Sequence, residues 1–145
     1  MIVALPDLAA MDAFGATIAA RLKVGDVVAM AGGLGAGKTT LSRAILAALG
    51  HVGEVPSPTF TIIETYDTLA LPVVHADFYR LGSPAEAREI GLDDYREGAA
   101  LLAEWPDKAG GFGHESACLS IQLEIAGNGR RAIVEGGPDW LERMP

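Results

Sequence analysis

The chain has 145 residues, enough for one domain (residues 1–145) that buries roughly 70% of the surface its unfolded chain would expose, and too few for a second catalytic domain. Its 19 acidic against 11 basic side chains give a formal charge of −8, and no lysine or arginine cluster runs beyond the pair Arg130-Arg131. Unassisted nucleic-acid binding is therefore excluded as the expectation, because affinity for a phosphate backbone comes largely from cations.

Cys118 is the single cysteine, so an intramolecular disulfide is impossible and no zinc cluster is suggested. The alternation around it makes it a residue of a half-buried strand, read as a small apolar core residue. The N-terminus lacks a basic segment followed by a secretory apolar stretch, and no apolar run approaches the ~20 residues needed to span a bilayer. A reducing, cytoplasmic setting without membrane contact is the expectation.

In chain order, Ile2 to Leu5 reads as a short strand, and Asp7 as the N-cap of a helix running to about Leu22 with Phe14, Ile18 and Leu22 on one face. The turn at 23–26 then leads into an apolar strand, Val27 to Ala31. The loop that follows, GGLGAGKT over residues 32–39, fits G-x-x-x-x-G-K-[ST] at every fixed position. Leu41, Ile45 and Leu49 continue at helical spacing, and Gly50 stands where a left-handed C-terminal residue is wanted.

Those residue types suit a nucleoside triphosphate. Glycine-rich backbone can turn successive N–H groups around a phosphate, and the new helix adds its positive end. Lys38 can reach the β- and γ-phosphates, the Thr39 hydroxyl can ligate Mg²⁺, and Thr40 is placed near the α-phosphate.

Beyond Gly50, two prolines stiffen Pro56-Ser57-Pro58-Thr59-Phe60-Thr61 ahead of a β-branched stretch, Thr61 to Thr65, ending at Tyr66. Many phosphate-loop proteins carry at this point a segment whose threonine hydroxyl senses the γ-phosphate and Mg²⁺, so Thr59 and Thr61 are switch candidates. An ordinary proline-bounded edge strand fits the pattern equally.

Leu71 to Asp77 reads as a buried strand delivering Asp77 beside the phosphate loop, where it would hold Mg²⁺ directly or through water. His75, on the same strand face, is assigned no chemistry. Ser83-Pro84-Ala85-Glu86 forms a capping-box pattern for a helix ending near Gly91, followed by an acidic turn at 93–95. A second buried strand, Ala99 to Ala103, leads into Glu104-Trp105-Pro106. Ligands of open α/β sheets bind beyond the carboxyl ends of the strands, so Glu104 is expected on the same rim as Asp77 and Lys38. One acid would then secure Mg²⁺ while the other positions or deprotonates the attacking water, the minimum for hydrolysis. Catalytic candidates are therefore Lys38, Asp77 and Glu104. Trp105 reads as a packing or partner residue.

After a glycine-rich loop at 108–114, Leu119, Ile121, Leu123 and Ile125 alternate with polar residues in a strand with one wet face. The turn at 126–129 returns it through Arg130 to Glu135, and a short helix near Asp139 to Arg143 closes the chain. The expected fold is α/β: a phosphate-loop three-layer domain with a mixed, mainly parallel central sheet and an antiparallel C-terminal hairpin.

The segments GLGAGKTT, SPTFT, HADFYRL and AEWPD together resemble the TsaE (YjeE) family of bacterial ATPases, in the same order and over most of the chain. The resemblance implies an ATPase supporting formation of threonylcarbamoyladenosine beside the tRNA anticodon, working with TsaD-like and TsaB-like proteins and meeting tRNA only indirectly. It implies ATP and ADP as ligands with Mg²⁺, the phosphates bound by Gly35, Ala36, Gly37, Lys38, Thr39 and Thr40 with Lys38 as the triphosphate clamp, Thr39 and Glu104 as magnesium ligands, Asp77 as the acid of the second phosphate-loop motif, Thr59 to Thr61 as switch, and Arg130 near the nucleotide. Two positions depart from the family: Gly33 stands where an acidic or polar residue is common, and Met11 where a threonine is.

Two other readings compete. A small-molecule kinase shares the strand, loop and helix, but the chain has no arginine-rich lid. A GTP switch would carry N-K-x-D and a D-x-x-G turn, whereas Asp77 is followed by Phe78-Tyr79-Arg80.

Overall fold

A computed structural model describes residues 1–59 and 61–145; Phe60 of the SPTFT segment lies outside the described residues. Strand β1 (Ile2–Leu5) leads to helix α1 (Leu8–Arg21), whose N-cap Asp7 accepts a hydrogen bond from the Ala10 N–H at 2.8 Å. That bond satisfies one of the otherwise orphaned first-turn donors. Strand β2 (Val27–Ala31) is buried from Val27 to Met30, and helix α2 (Lys38–Ala48) follows the phosphate loop.

The remaining elements are β3 (Ile63–Tyr66), β4 (Val73–Asp77), the short helices α3 (Pro84–Glu89) and α4 (Leu92–Arg96), β5 (Ala100–Glu104), β6 (Cys118–Ala126) and β7 (Gly129–Gly136). The described strands form one sheet in the order β1-β7-β6-β2-β5-β4-β3. Its middle, β6-β2-β5-β4, is parallel; β7 and β1 on one side and β3 on the other are antiparallel. Apolar strands buried on both faces suit such a parallel middle.

Two cores sandwich the sheet. Ile18 of α1, Leu41 and Ile45 of α2 and Trp140 pack on one face, while Ala87 of α3, Leu92 of α4 and Phe112 pack on the other. Three layers result, as the sequence pattern predicts.

Register positions the chemistry. Asp77 is the parallel partner of Glu104, and Glu104 that of Met30, so both acids end their strands level with the point where β2 hands the chain to the phosphate loop. The strand between Asp77 and the loop is β5, so Glu104, not Asp77, is the acid adjacent to the loop strand.

Several local expectations change. The β-branched stretch from Thr61 pairs only from Ile63, because Ile62 adopts φ 67°, a left-handed conformation costly for a β-branched residue. The Ser83 side chain makes no cap bond; Glu86 donates its N–H to the Ser83 carbonyl, and its carboxylate reaches past the cap to the Gly82 N–H at 3.1 Å. The acidic turn at 93–95 is the helix α4. Ile125 is exposed despite its phase, because pairing with β2 ends at Gln122 and the end of β6 runs on beyond it beside β7 alone. Cys118 is buried in the core, as its reading as a small apolar core residue predicts, and burial pushes its thiol pKa up.

In place of a helix at 139–143 there is a 3₁₀ turn, Pro138–Trp140. It inserts Trp140 into the core with its indole N–H donating to the Ala117 carbonyl at 2.8 Å. Arg143 then clamps both oxygens of buried Asp26 at 2.6 and 2.7 Å. Among the described residues no helix is long and apolar enough to cross a membrane.

Candidate functional site

At the carboxyl end of the parallel strands lies a cleft of about 910 Å³, walled by the phosphate loop, the start of α2, the ends of β4 and β5, the β1–α1 link and the β6–β7 turn. The loop is pressed against β6. A Cβ on Gly32, at φ 149°, would lie 2.6 Å from the Leu123 carbonyl oxygen. Gly37, at φ 108°, is the N-cap residue of α2, where a side chain would strain the turn that aims the helix N-terminus into the cleft. Ala36 is buried, so its part in a cradle is a backbone one.

Lys38, the first residue of α2, is only 6% exposed. Its ammonium donates to the carbonyls of Gly32 at 2.7 Å and Gly33 at 2.9 Å and sits 4.3 Å over the Trp105 ring. Burial pulls its pKa below the ordinary lysine value, with the Glu104 and Asp77 carboxylates acting in the opposite direction. The loop thus folds around its own cation. A triphosphate would offer that ammonium stronger acceptors than two carbonyls.

Glu104 is 1% exposed and organises the inner wall. Its Oε1 accepts from the Thr39 hydroxyl at 2.7 Å, its Oε2 lies 2.6 Å from His75 Nε2, and the Ser42 hydroxyl stands 3.5 Å from Oε2 while donating to the Lys38 carbonyl at 3.0 Å. The Thr39 oxygen and Oε1 are close to the about 2.9 Å that separates neighbouring ligands of a magnesium ion with bonds of about 2.0–2.1 Å. The pair fits such an ion. Among the described residues no cluster of three His, Cys, Asp or Glu forms a cage, and a magnesium that takes most of its ligands from phosphates and water needs none.

Asp77, 4% exposed, accepts from the Thr59 hydroxyl at 3.0 Å through Oδ2 and from the Tyr79 N–H at 2.9 Å through Oδ1. Thr59 and Thr40 line the cleft, whereas Thr61 is exposed in a turn and is absent from its wall. Arg130 reaches across from β7: its Nε and one terminal nitrogen donate to the Gly35 carbonyl at 3.2 and 2.9 Å, tying the hairpin to the loop. Trp105 adopts φ 54°, leans on Tyr79 with ring centres 4.9 Å apart and covers Lys38.

The structure therefore gathers Lys38, Thr39, Thr40, Thr59, Asp77, Glu104, Gly35, Gly37 and Arg130 around one cleft and leaves Thr61 out. Sequence reasoning missed Ser42 and gave His75 no role. The signal for His75 was its two-residue spacing from Asp77, which puts both side chains on one face of a strand. Ser42 stands one helical turn after Lys38, on a face the apolar repeat alone would not single out.

Comparison with known proteins places the chain in a family. The model of the family described as threonylcarbamoyl adenosine biosynthesis protein TsaE matches residues 5–133. A TsaE protein of Haemophilus influenzae is 42% identical over 64% of this chain and 60% of its own length. One from Synechocystis is 38% identical over 72% of this chain and 69% of its own, and one from Bacillus subtilis is 46% identical over 60% and 54%. The aligned part of the chain thus spans about half to two thirds of these relatives. The crystal structure of YdiB from Bacillus subtilis superposes with a TM-score of 0.76 at 30% identity, covering 97% of this chain and 86% of that one. A phosphate loop followed by α2, two level strand-end acids and a family match over most of the sequence lead to one assignment: the chain belongs to the TsaE family.

Proposed function

We propose that this protein binds ATP with Mg²⁺ and hydrolyses it as an accessory to threonylcarbamoyladenosine modification of the tRNA adenosine beside the anticodon. It acts on TsaD-like and TsaB-like proteins and meets tRNA only through them. The observation that carries this reading is the 2.7 Å bond from the Thr39 hydroxyl, at the head of the phosphate loop, to Glu104, with Asp77 level beside it on the next strand.

In this reading the loop amides of residues 35–40 hold the phosphates, and Lys38 exchanges its bonds to the Gly32 and Gly33 carbonyls for the β- and γ-phosphates. Thr39 and Glu104 hold the magnesium, which supplies neutralisation of the charge developing on the phosphates. Asp77, beyond Glu104 along the rim, positions the attacking water and takes its proton as the oxygen bonds to the γ-phosphorus and ADP leaves. Thr59, bonded to Asp77, follows the state of that carboxylate. Arg130 steadies the loop at Gly35. The acidic surface makes a protein partner, not RNA alone, the surface it works on. A reducing cytoplasm suits a chain whose lone thiol, Cys118, is buried.

The test is reconstitution. ATP turnover and threonylcarbamoyladenosine output are measured with TsaD-like and TsaB-like partners, tRNA and a threonylcarbamoyl donor, for the unsubstituted protein and Glu104→Ala. Loss of both supports the proposal; undiminished output from Glu104→Ala rejects it. Competition by GTP in the same assay decides the nucleotide.

A further inference from the structure

His75 lies in the middle of β4, fully buried, in the same fold layer as the two acids. A buried imidazole needs a partner, and it has one: Nε2 is 2.6 Å from Glu104 Oε2, while Nδ1 has no partner among the described residues. A carboxylate only accepts, so Nε2 is the nitrogen that donates. A proton on Nδ1 alone would leave a buried donor unanswered and an Nε2 lone pair facing a carboxylate.

The two oxygens of Glu104 are thereby made unequal. Oε2 is turned to the interior and held by His75, with the Ser42 hydroxyl more distant at 3.5 Å. Oε1 alone faces the Thr39 hydroxyl. The terminal torsion of a glutamate is broad and roughly two-fold, so without an anchor the carboxylate presents either oxygen, or both, to the cleft.

We propose that His75 is a positioning residue whose bond to Oε2 leaves Glu104 a single oxygen, Oε1, to offer a magnesium ion beside Thr39. The inference rests on the nucleotide-binding reading above and extends it to a residue outside the phosphate motifs. Groups behind a metal ligand orient it, and their loss weakens metal affinity about 10–100-fold.

The experiment uses the whole chain, a fluorescent ATP analogue and a magnesium titration. His75→Leu keeps an apolar side chain in the space but removes the donor; His75→Gln retains an N–H at comparable reach. In His75→Leu the magnesium concentration for half-maximal effect rises about 10–100-fold, while analogue affinity in EDTA stays the same; His75→Gln recovers most of the loss. A nitrogen-15 histidine spectrum of the unsubstituted protein places the proton on Nε2. If the unsubstituted protein shows no magnesium-dependent binding, the nucleotide reading and this inference fall together. If it binds and His75→Leu responds to magnesium unchanged, or loses EDTA and magnesium affinity equally, this inference alone falls. Should His75→Leu not fold, the spectrum decides: a protonated Nε2 supports the assignment and a bare Nε2 overturns it.

Discussion

The inner wall of the cleft and its outer rim are held in different ways. Along the inner wall, Lys38, Ser42, His75 and Glu104 are buried and cross-linked by hydrogen bonds between α2, β4 and β5, the last two in fixed parallel register. At the rim, Asp77 is joined to its neighbours by the Thr59 hydroxyl at 3.0 Å and, through its own N–H, by the Ile62 carbonyl at 2.9 Å, and Ile62 holds a left-handed backbone. A site meant to hold charge needs the first arrangement, since donors fixed in advance do not reorganise during reaction. A segment meant to respond to the state of a nucleotide needs the second, since only weakly held backbone can change with a ligand's contacts. The strain of a non-glycine left-handed residue, about 1–3 kcal/mol, is the kind stored in such segments.

Breaking the inner wall has the largest effect. Lys38→Met removes the one ammonium at the loop and is expected to lower ATP turnover by about 10²–10³-fold, checked by steady-state hydrolysis with the partner proteins present. Glu104→Gln keeps the size but removes the charge facing Thr39; turnover is expected to fall about 10²-fold, with binding in EDTA preserved in a fluorescent-nucleotide titration. Thr59→Val cuts the hydroxyl bond to the Asp77 carboxylate and is expected to lower turnover by about tenfold or less while leaving nucleotide affinity intact, the split between kcat and KM being the measurement.

The pH dependence of stability sharpens the same contrast. Burial holds the Lys38 pKa in the folded protein below the 10.5 of an ordinary lysine, so between those two values the unfolded chain binds more protons. Stability of the nucleotide-free protein therefore rises with pH through that window, and the rise flattens in Lys38→Met. Urea unfolding across alkaline pH reads the difference. Thr61→Val, outside the cleft, is expected to change neither turnover nor melting beyond about 0.5 kcal/mol, and a larger effect would move the rim's working residue from Thr59 to Thr61.

Much of the molecule is legible in its sequence. The Asp7 cap, the β2-loop-α2 unit and the strands ending in Asp77 and Glu104 all stand where their patterns put them. Local rules failed where two local options had similar cost. Ser83 and Glu86 have capping-box chemistry, yet the Ser83 carbonyl took the Glu86 N–H and the Glu86 carboxylate took that of Gly82. The alternation through Ile125 was correct as a strand and wrong as burial, because burial there depends on β2 reaching that far.

A phosphate loop is a contiguous backbone object whose glycines, lysine and threonine carry the information in themselves, and the sequence alone determined it. Which acid meets that loop is a different kind of fact. Thr39 and Glu104 are 65 residues apart, and only the insertion of β5 between β2 and β4 puts Glu104 rather than Asp77 against the hydroxyl. The same insertion brings His75 within reach of Oε2, and of the two threonines only Thr59 lines the cleft. Strand order and register are set by how distant segments share one core, so tertiary structure alone decided which of these side chains touch, although the family resemblance already named Thr39 with Glu104.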